Sequence, residues 1–410
     1  MTNRIQQSID DRDSMKDKNV LVIAHRYSHF TKEQVDELAE RVNEIHVYVR
    51  YNRLTDLNKI IETETLKQYG THDKVVDSTP ENVTVHTTPL TYLPIDTWYR
   101  YLGKHHYAAV RRQVAKNPVD FDLVHSHFAW TAGYAGAKLG EEYDIPSVLT
   151  IHEDVDRLNE ELAWDNSDLE WTLRNSDAII RVNERDCERL SSFNDTVYSI
   201  PNGYDRDRFP LLEAEEARGE LDLPHNASII FSLGTLIPRK RPKALIRAVS
   251  QLETDNDLIC AIAGRGEQRE EVEQLAQEVG EDVDIRILGY ISDEELAAWM
   301  NACDIFALAS SSEGNPTVMF EALGCGKPYV GTNVGGVDEI ITSDEYGLHC
   351  PPNSEEALID ILQTGLQTDW DRDAILEYSE QFTWEQISDR VFQVYKSLWD
   401  QSTEPTLVPQ

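Results

Sequence analysis

Cysteine is scarce in this chain. Its 410 residues include only five, without a CxxC pair among them: Cys187, Cys260, Cys303, Cys325 and Cys350. An odd and scattered set excludes a disulfide framework and a thiolate zinc site. We expect these cysteines to be small buried residues of a protein kept in a reducing compartment.

Long apolar runs are also missing. No segment approaches the roughly 18 consecutive apolar residues that a membrane-spanning helix needs. Residues 1–17 are mostly charged or polar and lack the apolar stretch of a secretory signal. The sequence therefore predicts a cytoplasmic protein without a transmembrane helix.

Basic residues are outnumbered by acidic ones, 38 against 74, which gives a formal net charge of -36. Such a surface repels nucleic-acid phosphates, so we expect no nucleic-acid partner. Because 40% of the residues are hydrophobic and eight are Trp, the chain is not a disordered acidic tail. We interpret the acidic surface as halophilic, since salt screens self-repulsion; an acidic mesophilic protein is the alternative.

Short apolar runs alternate with helix-like segments, such as residues 31–42. The strand-like runs of the first half are NVLVIAH, EIHVYVR, FDLVHSHF, SVLTIHE and AIIRVNE, and those of the second half are SIIFSLG, LICAIAG, VDIRILG, DIFALAS, PYVGT and GLHCPP. This alternation is typical of parallel sheets wound with helices. We predict an α/β fold with two doubly wound, Rossmann-like domains facing a central cleft, and ligands beyond the carboxyl ends of the strands.

The Pro and Gly residues of IPNGYDRDRFP interrupt the alternation near residue 205. This interruption predicts the boundary between the two domains. The predicted organisation is a polar tail 1–17, a first domain 18–204, a second domain 205–384, a helix 385–400 that packs back on the first domain, and a polar tail 401–410.

The stretch SSSEGNPTVMFEAL, residues 310–323, follows the strand-like run DIFALAS. Asn315 is a good N-cap residue, and Pro316 suits the first position of a helix. We therefore predict a helix from Pro316 onward. Its N-terminus would offer backbone N–H groups and the positive end of the helix dipole to phosphate oxygens or sugar hydroxyls.

Two carboxylates lie on either side of this helix start. Glu313 precedes it, and Glu321 shares one helix face with Thr317 and Gly324, where the glycine leaves room for a bulky group. The arrangement suits a ligand with a diphosphate and with hydroxyls on both sides of it, which describes a nucleotide sugar. Two ordinary solvated acids are the alternative, but the EG-x-P spacing and the later glycine turn GTNVGGVDEII favour a site.

The segment SSEGNPTVMFEALGCGKPYVGTNVGGVDEII resembles the signature of the family 4 retaining glycosyltransferases. Other segments extend the resemblance, in order, over most of the chain: DLVHSHF, SVLTIHEDVD, SDAIIRVNE, IPNGYDRDRF, SLGTLIPRKRP, AGRGE, ILGYIS, EELAAWMNACDIF and FTWEQISDRVFQVY. The resemblance implies the glycosyltransferase B fold, with an N-terminal acceptor domain and a C-terminal donor domain. It also implies a nucleotide diphosphate sugar as co-substrate, no cofactor, and a glycan or polyprenyl-phosphate-linked acceptor.

The resemblance assigns roles in the donor domain. Glu321 would bind the ribose hydroxyls, Glu313 a hydroxyl of the transferred sugar, and Lys240 the leaving diphosphate, whose charge a fixed cation stabilises. Asn315 and Thr317 would face the sugar and the diphosphate through their backbone N–H groups. The other donor-binding positions are Gly234, Gly266, Tyr290, Ile291 and Gly314. Of these, Tyr290 and Ile291 would line the base.

One position departs from the family pattern. Thr235 stands where the family usually has Arg. Arg239 or Arg241 would supply the second positive charge, unless both are solvated loop residues. Few Asp pairs are present as metal ligands, which favours a reaction without a metal ion.

Histidines end strand-like runs of the first domain. His152 resembles the family's histidine at the donor sugar, so we predict a catalytic role for it. For His127 a structural role and an acceptor-side role both stay open, whereas His125 packs inside. SHFTKEQVDEL is similar to the G-x-F-x-x-x-Q pattern of transferases that build surface polysaccharides, with His29 in place of the glycine before Phe30, on the acceptor side.

Residues 97–119 contain no acidic residue. Their cations are Arg100, Lys104, Arg111, Arg112 and Lys116, and four aromatic residues lie among them. Such segments lie on membrane interfaces. We expect residues 97–116, here called the basic island, to contact a lipid phosphate or the inner face of the cell membrane; a surface helix packed on the domain is the alternative.

The predicted function is therefore a retaining, metal-independent hexosyltransferase. A nucleotide-sugar epimerase on the same scaffold would act without an acceptor. A non-catalytic partner of another transferase is a further alternative, which Thr235 and the missing first-loop glycine favour.

Overall fold

The computed structural model describes residues 15–54, 74–75, 78–92, 96–164, 166–280 and 283–403. The chain divides into two compact units. The first unit runs to Pro201 and takes up the C-terminal segment from Trp384, and the second unit is Asn202–Thr383.

The first unit is built on a parallel sheet. In the described residues its strands are β1 Met15–Ala24, β2 Val42–Asn52, β3 Val83–Leu90, β4 Leu123–His127, β5 Ser147–Ile151, β6 Ala178–Arg181 and β7 Val197–Ser199. Their order is β3-β2-β1-β4-β5-β6-β7, and all neighbours are parallel. The strands β4, β5 and β6 are buried along their whole length, as expected of strands covered on both faces.

Helices connect and cover these strands. They are Phe30–Ala39, Asp96–Tyr99, Leu102–Val114, Tyr134–Tyr143, Val155–Leu162, Ser167–Asn175, Cys187–Leu190 and Trp384–Thr403, with a π-helical turn at Ala129–Gly133. The last helix is anchored by buried polar contacts. Trp384 Nε1 donates to Glu33 Oε2 at 2.5 Å, and the Tyr395 hydroxyl lies 2.6 Å from His125 Nδ1.

The second unit repeats the same design. In the described residues its strands are β8 Ser228–Leu233, β9 Leu258–Ala263, β10 Asp284–Gly289, β11 Ile305–Leu308, β12 Tyr329–Thr332 and β13 Gly347–Cys350. Their order is β10-β9-β8-β11-β12-β13, again parallel throughout. The helices are Ala214–Glu220, Pro242–Val249, Arg269–Val279, Asp293–Ala302, Thr317–Gly324, Val337–Ile340, Glu355–Gln367 and Arg372–Ser379, with 3-10 turns at Pro238–Lys240 and Glu380–Phe382.

Both sheets therefore have the doubly wound, Rossmann-like order, which confirms the predicted fold class. In each unit the chain reverses direction across the sheet between the first and the fourth strand. Ligands of such folds bind beyond the carboxyl ends of the strands at this switch point. The loops after β1 and β4, and those after β8 and β11, are thus the places to examine.

Several predicted boundaries differ from the observed ones. β1 begins at Met15, inside the tail predicted to reach residue 17, because Met15 N–H donates to Arg41 O at 2.7 Å. The helix predicted at residues 31–42 is Phe30–Ala39, and Val42 already belongs to β2. The last helix continues to Thr403, beyond the predicted residue 400. Residues 1–14 and 404–410 lie outside the described residues.

Candidate functional site

The loop between β11 and the helix Thr317–Gly324 holds a buried carboxylate. Glu313 is only 5% exposed. Lys240 Nζ lies 2.5 Å from its Oε1, and Arg239 Nη1 lies 2.9 Å from its Oε2. Arg239 also donates to the Ser312 carbonyl, and its own carbonyl accepts from Ser311 N–H at 2.8 Å. The loops after β8 and β11 are thus joined around one carboxylate.

The charge of Glu313 is maintained by these two cations. Burial by itself raises the pKa of the Glu313 carboxyl group, but Lys240 and then Arg239 outweigh this effect and hold the pKa below its ordinary value. Glu313 is therefore ionised at neutral pH. Because Arg239 lies directly on Glu313, it is a second cation at this site.

The helix start differs from the prediction. The helix begins at Thr317 with Pro316 as its N-cap residue, and no side chain caps it. Asn315, which is buried, instead links two other loops. Its Oδ1 accepts from Asn202 N–H at 2.8 Å, and its Nδ2 donates to Gly335 O at 3.2 Å. The prediction of an Asn315 cap was wrong because a tertiary partner competes for the side chain.

Glu321 is buried on this helix, 8% exposed, and is bound by an arginine that sequence reasoning missed. Arg208 Nη1 lies 3.3 Å from Glu321 Oε1, and Arg208 Nη2 lies 2.9 Å from Asp293 Oδ1. The signal was present in the segment GYDRDRF, but nothing in it identifies which acid would be the partner. Arg208 therefore fixes the carboxylate that the resemblance assigns to the ribose.

The space beside Gly324 is filled by protein. A Cβ atom at Gly324 would lie 2.3 Å from the Tyr204 ring, whose hydroxyl lies 3.0 Å from Ser379 Oγ. The room that the sequence suggested at this glycine is therefore occupied by a side chain of the same unit. The glycine serves close packing of the helix.

Other glycines let the loops of the site approach each other. Gly335 has φ +59°, and a Cβ there would lie 2.8 Å from Glu313 Cβ, so the glycine turn of the sequence presses against the carboxylate loop. A Cβ at Gly266 would lie 2.2 Å from Leu236 O, and one at Gly234 would lie 3.7 Å from Lys240 Cδ. Gly234 thus lies beside the lysine side chain, whereas Gly266 serves backbone packing. Gly314 is buried.

An exposed aromatic ring follows β10. Tyr290 is 72% exposed, and the Arg265 guanidinium lies 4.8 Å from its ring centre. Ile291 beside it packs against the core of the second unit. An open aromatic face next to a cation is suited to stacking on a flat ring such as a nucleobase.

Thr235 and Arg241 complete the loop after β8. Thr235 is exposed. Arg241 has φ +50° at the junction between the turn Pro238–Lys240 and the next helix. Of the two arginines that the sequence offered as the second positive charge, Arg239 and Arg241, it is Arg239 that forms the ion pair with Glu313.

In the first unit, histidines at the ends of β4 and β5 meet. His127 Nδ1 lies 3.0 Å from His152 Nε2, and their rings stack at 5.2 Å. The His152 ring also contacts Phe30 at 4.5 Å and Phe128 at 5.3 Å between ring centres. Burial lowers the pKa of His127 to about 3, so its imidazole is neutral at pH 7. The structure thus brings together the predicted residues His127, His152 and Phe30.

His125 packs inside the unit, as predicted. It is fully buried, and its ring nitrogens lie 2.6 Å from the Tyr395 hydroxyl and 2.7 Å from Thr150 Oγ1. Burial holds its pKa well below the ordinary value, with smaller effects of His127 and His152. His125 therefore has a structural role.

Two residues of these loops have unusual backbone angles. His29, at the N-cap of the helix Phe30–Ala39, has φ +49° and ψ -137°. Phe128 has φ +80° after β4. A positive φ is costly for residues other than glycine and often marks functional loops. A glycine at position 29 would adopt these angles with less strain.

The basic island is largely the helix Leu102–Val114, and acids from other elements pair with part of it. Lys104 Nζ lies 3.0 Å from Asp168, and Arg111 Nε lies 2.6 Å from Glu142. Arg112 is exposed on the same helix. Two of the four aromatic residues are exposed, Trp98 at 51% and Tyr101 at 74%. The other two, Tyr99 and Tyr107, pack on the first unit.

Three further findings concern the described part of the chain. No helix there has the length and apolar character needed to cross a bilayer. No group of three or more His, Cys, Asp or Glu side chains in the same residues is arranged to hold a metal ion. All five cysteines are free thiols, four of them buried and Cys187 half-buried.

Comparison with known proteins connects both units to one enzyme class. The family model Glycosyltransferase Family 4 matches residues 28–208, and the model Glycosyl transferases group 1 matches residues 213–403. The D-inositol 3-phosphate glycosyltransferase of a Nocardioides strain is 28% identical over 320 residues, which cover 70% of each chain.

Solved structures share the fold. Sucrose-phosphate synthase from Thermosynechococcus elongatus superposes with a TM-score of 0.72 at 20% identity, covering 94% of this chain and 100% of the other. Anabaena HepE in complex with UDP-glucose gives a TM-score of 0.68 at 18% identity, covering 93% and 100%. With one family model on each unit and this fold, the chain belongs to the family 4 glycosyltransferases of the glycosyltransferase B fold.

Proposed function

We propose that this enzyme moves a sugar from a nucleotide diphosphate sugar to an acceptor hydroxyl, with retention at the anomeric carbon and without a metal ion. The observation that carries the proposal is the buried Glu313 between Lys240 and Arg239, next to the start of the helix Thr317–Gly324. Fixed cations, helix N–H groups and a carboxylate that accepts hydrogen bonds from hydroxyl groups are the groups that a sugar diphosphate requires.

The diphosphate end is bound by cations in this proposal. Lys240 offsets the negative charge that develops on the leaving nucleoside diphosphate, and Arg239 adds a second charge where the family arginine is replaced by Thr235. Such preorganised charges stabilise a transition state without reorganisation. They also supply what a metal ion supplies in other transferases, which supports a reaction without one.

The nucleoside end lies at Glu321 and Tyr290 in this proposal. Glu321, fixed by Arg208, accepts hydrogen bonds from the ribose hydroxyls, and the exposed Tyr290 ring stacks on the base. The structurally similar HepE binds UDP-glucose, so UDP is the first nucleotide to test. The thermal-shift experiment described below identifies the donor base and the sugar.

The chemical step follows from same-face attack. The bond between the anomeric carbon and the diphosphate oxygen breaks, the acceptor oxygen bonds to the same face of that carbon, and its proton goes to the leaving phosphate oxygen. The protein contributes no covalent nucleophile in this scheme. Its part is positioning and charge stabilisation, with His152 and the neutral His127 at the sugar.

The acceptor class in this proposal is a glycan or a polyprenyl-phosphate-linked glycan. The names of two similar proteins, D-inositol 3-phosphate glycosyltransferase and sucrose-phosphate synthase, also contain a phosphorylated small molecule. We therefore include phosphorylated polyols and sugars among the acceptors to test.

We further propose that the enzyme works in a salt-rich cytoplasm and touches the inner membrane face through the basic island. The exposed Trp98, Tyr101 and Arg112 support this contact. Charge reversal by R111E and R112E should reduce binding to vesicles that contain anionic lipid. Unchanged vesicle binding would contradict the membrane contact.

The donor site is tested by ligand-induced thermal stabilisation in high salt, with UDP, GDP, ADP and TDP and their sugars. We expect a rise in Tm with one nucleotide, absent in Glu321→Ala and retained in Glu278→Ala, an exposed glutamate of the helix Arg269–Val279. The absence of any shift would contradict the donor site and favour a non-catalytic partner. Conversion of the donor sugar without an acceptor would favour an epimerase.

A further inference from the structure

A group of basic side chains, most of them buried, lies in the first unit. It consists of Arg50, Lys74, His25 and His106, here called the cationic cluster, with the Thr131 hydroxyl among them. Arg50 is 8% exposed, Lys74 5% and His106 not at all. Arginine and lysine are rarely buried this far without a partner.

Four separate elements bring the cationic cluster to the carboxyl edge of the sheet. Arg50 lies near the end of β2, and His25 lies in the loop after β1. Lys74 is held against that loop, because its carbonyl accepts from Tyr27 N–H at 2.7 Å. His106 comes from the helix Leu102–Val114. Thr131, from the turn after β4, completes a group at the switch point between β1 and β4, where doubly wound folds bind ligands.

Among the described residues the contacts of the cationic cluster include no carboxylate, and the Arg50 guanidinium lies 5.3 Å and 5.8 Å from the ring centres of Tyr99 and Tyr92. Arg50 Nη1 donates to Thr131 Oγ1 at 3.3 Å, and Lys74 Nζ donates to Arg50 O at 3.1 Å. His106 Nδ1 lies 2.8 Å from Thr131 Oγ1. Within the described residues, no carboxylate lies in ion-pair distance of Arg50 or Lys74.

Several nitrogen atoms of the cationic cluster are buried and have no hydrogen-bond partner in the described residues. They are Arg50 Nε, His106 Nε2 and His25 Nε2. A buried polar group without a partner is expensive, and a buried unpaired charge more so. Among the described residues the buried Arg50 guanidinium has no carboxylate partner, and burial together with Arg50 lowers the pKa of Lys74 to about 7, so a bound anion would favour the charged form of both groups.

Two buried carboxylates of the first unit each have a hydrogen-bond partner other than Arg50. Glu161 Oε1 accepts from Arg157 Nε at 2.9 Å, and Glu153 Oε1 accepts from Ala129 N–H at 2.8 Å. Burial, reinforced by Glu153, raises the pKa of Glu161 to about 8, so Glu161 is largely protonated at pH 7. Arg50 acts on Glu161 only as a smaller, longer-range charge, and neither acid lies at ion-pair distance from it.

A chain of rings links the cationic cluster to the proposed sugar site. The His25 ring stacks on Phe128 with 4.7 Å between centres, and Phe128 contacts His152 at 5.3 Å. A small molecule with its anionic group on the cluster would thus extend toward His152. This proximity assigns the anion to a substrate of the transfer reaction.

We propose that the cationic cluster binds a phosphate monoester of the acceptor, an inference that rests on the proposed glycosyltransferase function. A phosphate presents three oxygens to donors that come from several directions, as the guanidinium, ammonium, hydroxyl and imidazole groups do here. A carboxylate has only two oxygens and would leave part of the cluster unpaired. The acceptor is then a phosphorylated polyol or sugar, or a lipid phosphate.

The test is binding of inorganic phosphate to the full chain, measured by isothermal titration calorimetry at constant high ionic strength. We expect Arg50→Met and Lys74→Met to weaken phosphate binding at least about tenfold. Arg174→Met, which removes an exposed arginine of the same unit on the helix Ser167–Asn175, should leave it unchanged. Unchanged affinity in Arg50→Met, or no phosphate binding by the unmodified protein, would overturn the proposal.

A thermal-stability readout separates binding from a structural role. Replacing a buried unpaired charge by an apolar side chain is often neutral or stabilising, so Arg50→Met without phosphate should have an unchanged or higher Tm. It should also keep the Tm shift with the donor nucleotide. A lower Tm in Arg50→Met without phosphate would assign the arginine a structural role instead. If the unmodified protein binds phosphate but shows no Tm shift with any nucleotide, the proposed function is contradicted and the phosphate site is not.

Competition identifies the source of the phosphate. Displacement of inorganic phosphate by soluble inositol or hexose phosphates would identify a small acceptor. Displacement only by vesicles that contain polyprenyl phosphate would identify a lipid acceptor. If none of these compounds displaces inorganic phosphate, the site holds an adventitious ion only and the assignment to an acceptor is wrong.

Discussion

At the scale of single residues, the charge of Glu313 is stabilised by Lys240 and Arg239, which in turn are held by Glu313. We predict that Glu313→Gln lowers kcat by about a hundredfold, the usual loss when one preorganised polar group is removed. Nucleotide binding should not weaken, because Lys240 and Arg239 then lose their carboxylate partner and become more available to a diphosphate. Initial rates and the nucleotide Kd together check this split.

Glu278→Gln provides the matched control for that variant, since this glutamate is exposed on the helix Arg269–Val279. It should change neither the rate nor the Kd. A Glu313→Gln enzyme with full activity would show that the buried carboxylate only supports the loop.

His29 tests whether a backbone conformation is held in solution. Both His29→Ala and His29→Gly remove the imidazole, but only glycine adopts φ +49° without strain. We therefore expect the glycine variant to be more stable than the alanine variant by about 1 kcal/mol. Urea denaturation measures the difference. Equal free energies of unfolding would mean that the loop relaxes to negative φ.

At the scale of elements, two helical glycines can be compared, one in close contact with a side chain and one beside open space. Gly324→Ala should lower the free energy of unfolding by about 1–3 kcal/mol, because the new methyl group overlaps the Tyr204 ring. Gly219→Ala, in the helix Ala214–Glu220 where a Cβ would meet nothing within 4 Å, should raise it by about 0.5 kcal/mol. Equal effects in denaturant titrations would contradict the close packing of Tyr204 on the helix.

Strands were predictable from sequence where apolar residues cluster over a short stretch. In the described residues this holds for the six strands of the second unit, including its edge strands β10 and β13, and for five of the first. β3 and β7, at the two edges of their sheet, were missed because VTVHTTPL and VYS are partly exposed and contain few apolar residues. An edge strand needs no apolar run, so neighbouring strands and not its own pattern define it.

At the scale of the whole molecule, the net charge of -36 predicts salt-dependent stability. Raising KCl from about 0.1 M to about 1 M shortens the Debye length from about 10 Å to about 3 Å and weakens the repulsion between surface acids. We expect Tm to rise over this range. Circular dichroism melts check it, with an uncharged osmolyte as the control for solute exclusion. A constant Tm would contradict salt adaptation.

The sequence by itself determined the two wound units and the positions of Glu313, Glu321 and Lys240, because local apolar runs and short motifs carry that information. Only the tertiary structure decided which charges meet. Arg208 and Glu321 are 113 residues apart, and Arg239 and Glu313 are 74 apart. The cationic cluster around Arg50 likewise combines residues from a strand, a helix and separate loops. Partners so distant are selected by the sheet order, which brings the carboxyl ends of non-consecutive strands together.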